Sequence, residues 1–283
     1  GDDDDEDSGS GCGNGDQPIG SYDPNEMFVA RYAALQERLF MEVEFENLAG
    51  TATAPATNVF VDLILAPELD ASSLEVGMAT QNGFDGAAAD ANFAYTYDEA
   101  ERRLSWALQG IDLAIGGTDR LTFSVLPHAE VTSGTSFCQF ATIVFDQNDA
   151  IITDTVTTQL DGEPPAASVM PLDAQQTETL FRVEWSGSDA HAAGEVSQCL
   201  NGTGSVITPE EGSGIESYEI YVAVDGETAS LWKSVHVLAS PYAYFAGACG
   251  HTYSFFAIAQ DKAGNAAPMP AEFQTTTTTP DCD

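Results

Sequence analysis

Two short acidic motifs in the first half of this chain place hard oxygen ligands in irregular backbone: Asp23-Pro24-Asn25-Glu26 and Asp146-Gln147-Asn148-Asp149. Carboxylate and amide oxygens held by loops are the ligands Ca²⁺ takes. Asp23, Asn25, Asp146 and Asn148 are therefore expected to converge on one Ca²⁺, with Glu26 and Asp149 completing the oxygen shell. The competing reading of either motif alone is a turn in which an Asx side chain bonds nearby backbone. Two motifs framing one domain bring the metal reading level with the turn reading, because the ends of a sandwich bring distant loops together. A second candidate set is Asp189, Asp261 and Asn265, joined by Glu216 or by Glu195, Glu210 and Glu211. Here Asp261-Lys262-Ala263-Gly264-Asn265 is also a good tight turn in its own right. The acidic run 2–7 lacks the alternating geometry and sharp glycine of a tight calcium loop. It reads as a diffuse cation attractor or an interface element.

Catalytic chemistry finds little support. His128, His191, His236 and His251 are scattered, with no HExxH pair. There is no GxSxG elbow, no P-loop and no GxGxxG leading into a helix. Carboxylate pairs suited to glycoside cleavage are always available among 45 acidic residues, so they specify nothing without a cleft.

That acidity bounds the partners. Against 45 acids stand 8 basic residues, giving a net charge of −37. Such a surface repels the phosphate backbone of nucleic acids and anionic membrane surfaces. It suits either concentrated salt, which screens self-repulsion, or neutralisation by bound Ca²⁺. No apolar run is long enough to span a bilayer, so membrane insertion is not expected. The chain opens on Gly1, which implies a processed chain or a fragment. Its length suits two domains, and 15 Phe, 9 Tyr and 3 Trp suffice for two cores.

The elements that must position these acids read as strands. Residues 1–20 form an acidic, glycine-rich extension. A first unit spans 21–160, with strands over 39–46, 58–65, 93–97, 103–108, 120–126 and 138–145. They alternate apolar and polar residues and are separated by turn signals such as Asn82-Gly83 and Gly116-Gly117. Residues 25–36 have room for a turn or two of helix. A stiff Pro-Pro linker occupies 161–166. A second unit over 167–277 has strands at 180–185, 215–224, 234–238, 242–245, 252–259 and 272–277, with a turn at Ser186-Gly187-Ser188-Asp189. Trp185 and Tyr253 suit the core of an immunoglobulin-like sandwich. A segment over 190–212 is too long for an ordinary connection, and 278–283 is a tail. The expected fold class is all-β: two Ig/fibronectin-like sandwiches in tandem.

The order Ser21-Tyr22-Asp23-Pro24-Asn25, Val43-Glu44-Phe45-Glu46-Asn47-Leu48 and Thr53-Ala54-Pro55-Ala56-Thr57-Asn58-Val59 resembles the DPN-motif β-sandwich repeat of large bacterial extracellular proteins. Ala141 to Asn148 and Asp154-Thr155-Val156 fit its closing strands. After Pro164-Pro165, the segments Val183 to Asp189, Gly214 to Val222, Gly250-His251-Thr252-Tyr253 and Asp261 to Asn265 resemble a fibronectin type III-like module. The resemblance covers about 20–277. The 190–212 insertion and the cysteine-bearing acidic start depart from it. It implies a surface or secreted protein.

Five isolated cysteines in a β-rich chain suit disulfides in an oxidising compartment and leave one thiol over or paired between chains. Cys249 starts the strand leading to Asp261, and the next strand returns antiparallel, so Cys282 should lie beside Cys249. Cys199 is the rival partner. Cys12 with Cys138 is the second pairing, tying the acidic start to the first sandwich.

The expected function is a non-enzymatic extracellular structural or adhesive protein. It would be a calcium-stabilised subunit of a surface filament or layer that associates with itself or with a neighbouring cell-surface protein. The alternative is an accessory carbohydrate- or ligand-binding module of a secreted enzyme, using exposed rings among Tyr95, Tyr97, Trp106, Trp232, Tyr242 and Tyr244.

Overall fold

The structure, a computed structural model, describes residues 25–77, 93–190 and 212–282. Asp23, Cys12, Cys199, the acidic extension and the acids Glu195, Glu210 and Glu211 lie outside them. The first unit comprises β1 (Glu26–Phe28), β2 (Tyr32–Ala34), β3 (Leu39–Glu46), β4 (Ala56–Ile64), β5 (Leu69–Val76), β6 (Phe93–Asp98), β7 (Arg103–Leu113), β8 (Thr118–Pro127), β9 (Ser136–Gln139), β10 (Thr142–Phe145), β11 (Ile151–Ile152) and β12 (Val156–Asp161). The second comprises β13 (Ala166–Val169), β14 (Leu180–Ser188), β15 (Ile215–Val224), β16 (Ser230–His236), β17 (Tyr242–Ala246), β18 (Thr252–Asp261) and β19 (Thr275–Thr278). All regular structure among the described residues is strand, arranged as two β-sandwiches in tandem.

Alternation builds the first core. Leu39, Met41, Val43 and Phe45 of β3 point inward and are buried. Glu42 and Glu44, on the other face, pair with Arg120 of β8 at 3.4 and 3.1 Å. The sheet β1-β3-β8-β5 and the sheet β11-β10-β4-β7-β6 share this core, where Trp106 meets Phe123 and Phe45 meets Phe145. A third sheet, β2-β12-β9, contributes Leu160 and Phe137 to it. There β12 runs parallel to β2, with Asp161 opposite Ala34. In the second sandwich β13-β14-β17 faces β16-β15-β18-β19. Phe245 sits at the centre of its aromatic core, 4.8 to 5.5 Å from the rings of Tyr253, Trp232, Phe255 and Phe181.

Four local expectations need correction. The 25–36 stretch forms β1 and β2, not helix, because its backbone is taken up by β3 and β12. The run 138–145 is two strands: β9 pairs with β12, whereas β10 pairs with β4, so the chain changes sheets at 140–141. Residues 186–188 continue β14, paired with β13, instead of turning. The strand β5 carries no clean alternation and was not expected; its pairing with β8 shifts register between Asp70 and Glu75.

Candidate functional site

The strands β12 and β18 each end on a fully buried aspartate, Asp161 and Asp261. One closes the first sandwich and the other lies in the second. Asp189 follows the end of β14. Ligand oxygens of Asp161, Asp189 and Asp261 lie within 4.8 Å of one another, the one such group of three acidic side chains among the described residues.

The site is built from short-range backbone chemistry. The Asp261 turn closes on itself: Asn265 donates its backbone N–H to Oδ1 (2.8 Å) and its side-chain nitrogen to Oδ2 (2.9 Å). That side-chain nitrogen also reaches across the junction to the carbonyl of Asp161 (3.1 Å). Residues 212–214 supply further donors. The N–H of Ser213 bonds Asp161 Oδ2 (2.8 Å), and the N–H of Gly214 bonds Asp189 Oδ2 (2.6 Å). A side chain at 212 would collide with the Asp189 carboxylate, since an added Cβ would sit 2.4 Å from Oδ2. Gly214 has φ +85°, the left-handed region in which a Cβ is strained. Gly212-Ser213-Gly214 thus lets successive amides approach two carboxylates closely. Ser133 and the N–H of Glu163 bond Asp161 Oδ1 from the first-sandwich side. Lys262 extends over the ring of Tyr32, 5.7 Å from its centroid, and makes a second contact between the sandwiches.

The two buried carboxyls are driven in opposite directions. Burial pushes Asp261 up; the bonds from Asn265 oppose this, and the neighbouring charges of Asp161 and Asp189 add to the rise. Burial acts the same way on Asp161, but the bonds from Ser213, Glu163 and Ser133 outweigh it, and its carboxyl sits below the ordinary range. Amides and hydroxyls donate to the group. Three hard oxygen donors so arranged suit Ca²⁺ or another hard cation. Asp161, Asp189 and Asp261 are the residues that would hold it. Asn265 meets the group as a hydrogen-bond donor, and Glu216 is exposed on β15 outside it.

The other candidate acids are arranged differently. Asp146 has φ +52° and accepts the hydroxyl and N–H of Thr57 (2.7 and 3.1 Å) and the N–H of Asn58 (2.9 Å). The Thr57 hydroxyl is the main cause that holds its carboxyl below the ordinary value. Asn25 is buried, with Oδ1 3.4 Å from the N–H of Glu46. Asn148 and Asp149 are exposed and Glu26 is half-buried. Cys249 and Cys282 are bonded, with Cα atoms 5.5 Å apart. Cys138 is also disulfide-bonded.

Asp161 is the member that sequence reasoning missed as a ligand, because the adjacent prolines drew it into the linker. Its available signal was an acid closing a strand at a domain boundary. Of the candidate rings, Trp106 is buried and Trp232 packs in the second core, while Tyr95, Tyr242 and Tyr244 are exposed. A groove of about 620 Å³ lies on the outer face of β1, β3, β8 and β5 between Phe28 and Phe40. Its two acids are already ion-paired, Glu42 with Arg120 and Glu75 with Arg38.

Residues 23–159, the first sandwich, match a family described as Domain of unknown function (DUF7619). No curated protein matches the chain. Domains D2 and D3 of the major pilin SpaD from Corynebacterium diphtheriae are similar over 91% of this chain and 97% of theirs, at 12% identity and a TM-score of 0.38. The C-terminal domain of the Streptococcus agalactiae AgI/II polypeptide BspA is similar over 90% of this chain and 96% of its own, at 12% identity and a TM-score of 0.37. The collagen-binding domain of a Staphylococcus aureus adhesin covers 50% of this chain and 100% of its own length, at 7% identity and a TM-score of 0.34.

Proposed function

We propose that this chain is a non-enzymatic extracellular structural or adhesive protein whose two sandwiches are fixed end to end by Ca²⁺ held by Asp161, Asp189 and Asp261. The carrying observation is the placement of that group: one acid closes the first sandwich, two belong to the second, and both backbone and side-chain bonds cross between them. Physical cost supports the cation. Two charges within 4.8 Å repel by about 3 kcal/mol at an effective dielectric of 20. Amide and hydroxyl dipoles offset part of this, and a divalent ion removes the rest while gaining charge-assisted contacts. A rigid junction suits a load-bearing or filament-forming subunit better than an enzyme with moving domains. Disulfide bonding supports an oxidising, extracellular setting. The three-plus-four strand arrangement supports the fibronectin-like reading of the second sandwich.

The test is thermal unfolding in calcium against sodium at equal ionic strength, for wild type and Asp189→Asn. The Asn oxygen can still accept from Gly214, so the substitution removes charge while keeping that bond. Calcium-specific stabilisation of wild type, absent in the variant, is expected. Equal stabilisation by both salts in wild type would sink the metal reading.

One observation favours the binding-module alternative. Tyr242 and Tyr244 share an exposed face of β17, and Arg182 stacks 4.0 Å from the Tyr242 ring centroid. Saccharide titration of wild type and Tyr244→Ala tests it; no binding to either would remove it.

A further inference from the structure

Resting on the binding-module reading of the exposed face of β14 and β17, we infer that this face takes a neutral, hydroxyl-rich polysaccharide chain, with Arg182 and Glu184 reading neighbouring hydroxyls beside two tyrosines. Alternation sorts the residues. Phe181 and Val183 of β14 and Phe245 of β17 are buried in the second core, so Leu180, Arg182 and Glu184 point outward, as do Tyr242 and Tyr244. The register sets Arg182 opposite Tyr244 and Glu184 opposite Tyr242. Met170 adjoins the Glu184 row through its N–H, which bonds the Glu184 carbonyl (2.8 Å). The strands β13, β14 and β17, the chain joining β13 to β14, and the segments entering and leaving β17 all lie within the described residues.

Local packing fixes the guanidinium. Its carbon lies 4.0 Å from the Tyr242 ring centroid, and its Nε pairs with Glu184 Oε1 at 2.9 Å. Tyr244 stands on edge to Tyr242, with ring centroids 6.3 Å apart and 89° between planes. The planar fork of Arg182 is therefore held in one orientation before any ligand arrives. Its terminal nitrogens donate no hydrogen bond to a described residue, and the Tyr242 and Tyr244 hydroxyls and the second oxygen of Glu184 are equally unspent. The side chains of Arg182 and Glu184 are each 46% exposed, and Tyr244 is 62% exposed.

These groups define the ligand. The ion pair sums to zero, so the face sets donors and an acceptor side by side without net charge. A carboxylate or phosphate drawn to the guanidinium would meet the free oxygen of Glu184. An ammonium drawn to Glu184 would meet the guanidinium. A sugar hydroxyl both accepts and donates, so neighbouring hydroxyls can take an N–H from Arg182 and give an O–H to Glu184. The C–H face of the sugar ring packs on Tyr244, whose hydroxyl adds a polar handle at the rim. Leu180 and Met170, both exposed, close the ends of a strip that runs roughly 13 Å along the strands, long enough for consecutive units of one chain.

Calorimetric titration of the full chain in calcium and physiological salt tests this, with neutral hexasaccharides of glucose, mannose and xylose and with hexagalacturonate. Wild type should bind a neutral hexamer at least tenfold more tightly than the uronate. Arg182→Lys keeps the charge and loses the fork, so it should weaken binding at least tenfold at an unchanged melting temperature. Tyr244→Ala should do the same, whereas Lys233→Ala, in the opposite sheet, should bind as wild type does. On saturating wild type, the Arg182 Nε–H and Tyr244 ring signals should shift most in nuclear magnetic resonance spectra, a readout that needs no variant. A preference for the uronate, or a neutral hexamer held equally by Arg182→Lys, overturns the inference and leaves the binding-module reading standing. Binding of none of the four overturns both. A concentration-dependent dimer that Tyr244→Ala abolishes would make a second copy the occupant and overturn the inference as well.

Discussion

Asp146 and Asp261 are both acids at tight turns that close a strand, and their surroundings give them different chemistry. Asp146 stands alone near the surface, with four donors from Thr57 and Asn58, and is satisfied as a lone anion. Asp261 is fully buried beside two further carboxylates, and its donors come from one residue, Asn265. The same turn chemistry ends in a cap in one place and in a cluster of three acids in the other. A turn-forming motif thus says where an acid sits, whereas burial and a second chain segment decide what it does.

The largest expected effect concerns what holds the Asp261 turn. The Cys249–Cys282 bond spans 33 residues and encloses that turn. A loop of this length is worth about 3–4 kcal/mol in the chain-entropy account. Reduction, or Cys282→Ser, should lower the melting temperature by several degrees and weaken the calcium response, because the enclosed turn loosens. An unchanged calcium response in the reduced protein would mean that the cluster is set by its hydrogen bonds alone.

Chelation comes next. A ligand at a hundredfold excess over its dissociation constant adds roughly 2.7 kcal/mol of stability. Calcium withdrawal should remove an effect of that order from wild type and from Asp146→Ala, but little from Asp189→Asn. Loss of the calcium effect in Asp146→Ala would reverse the contrast between the two turns and restore the Asp146 site as the metal centre. Apart from metal, Asp146→Ala should cost about 1 kcal/mol, as loss of a capping carboxylate does, measured by denaturant unfolding in chelator.

The smallest effect is the pH dependence without calcium, because two shifts oppose each other. Asp261 is raised in the folded protein, so its contribution is largest in acid and declines as pH rises through its folded value. Asp161 is lowered, so its contribution is present above the ordinary carboxylate range and is lost as pH falls through its folded value. Their overlap predicts a shallow stability maximum in mild acid for the apo protein. In calcium the maximum should move toward neutrality, since protons compete for the ligand oxygens. Melting temperature against pH, with and without calcium, checks both, and identical profiles would separate the cluster from any metal.

The fold was legible wherever burial on one face wrote itself into alternation, as in β3 and β15. It was hidden where other forces decide. The Asp70-Ala71-Ser72-Ser73 start of β5 is polar and bulged, and Arg38 and Asp70 bond its own backbone and hydroxyls. The break between β9 and β10 falls at Phe140-Ala141, with no glycine or proline to mark a change of sheet. In the candidate site, Asp189 and Asp261 were legible as acids of loops at one end of a sandwich. Asp161 was not, because its place depends on how the first sandwich meets the second, and no local pattern encodes that. The same holds for Ser213, whose amide matters only because Asp161 arrives beside it.

The Cys249–Cys282 bridge also sets the path of mechanical tension. A pull applied beyond Cys282 passes through sulfur to Cys249 and from there back along the chain to β17, which pairs with β14. Both β18 and the edge strand β19, whose four pairs would otherwise peel one after another, lie inside the closed loop and off the covalent path. Stretching therefore acts first on the five pairs that join β17 to β14 and bypasses the β18–β19 pairing. The length of chain between the two cysteines stays in reserve until the bond is reduced.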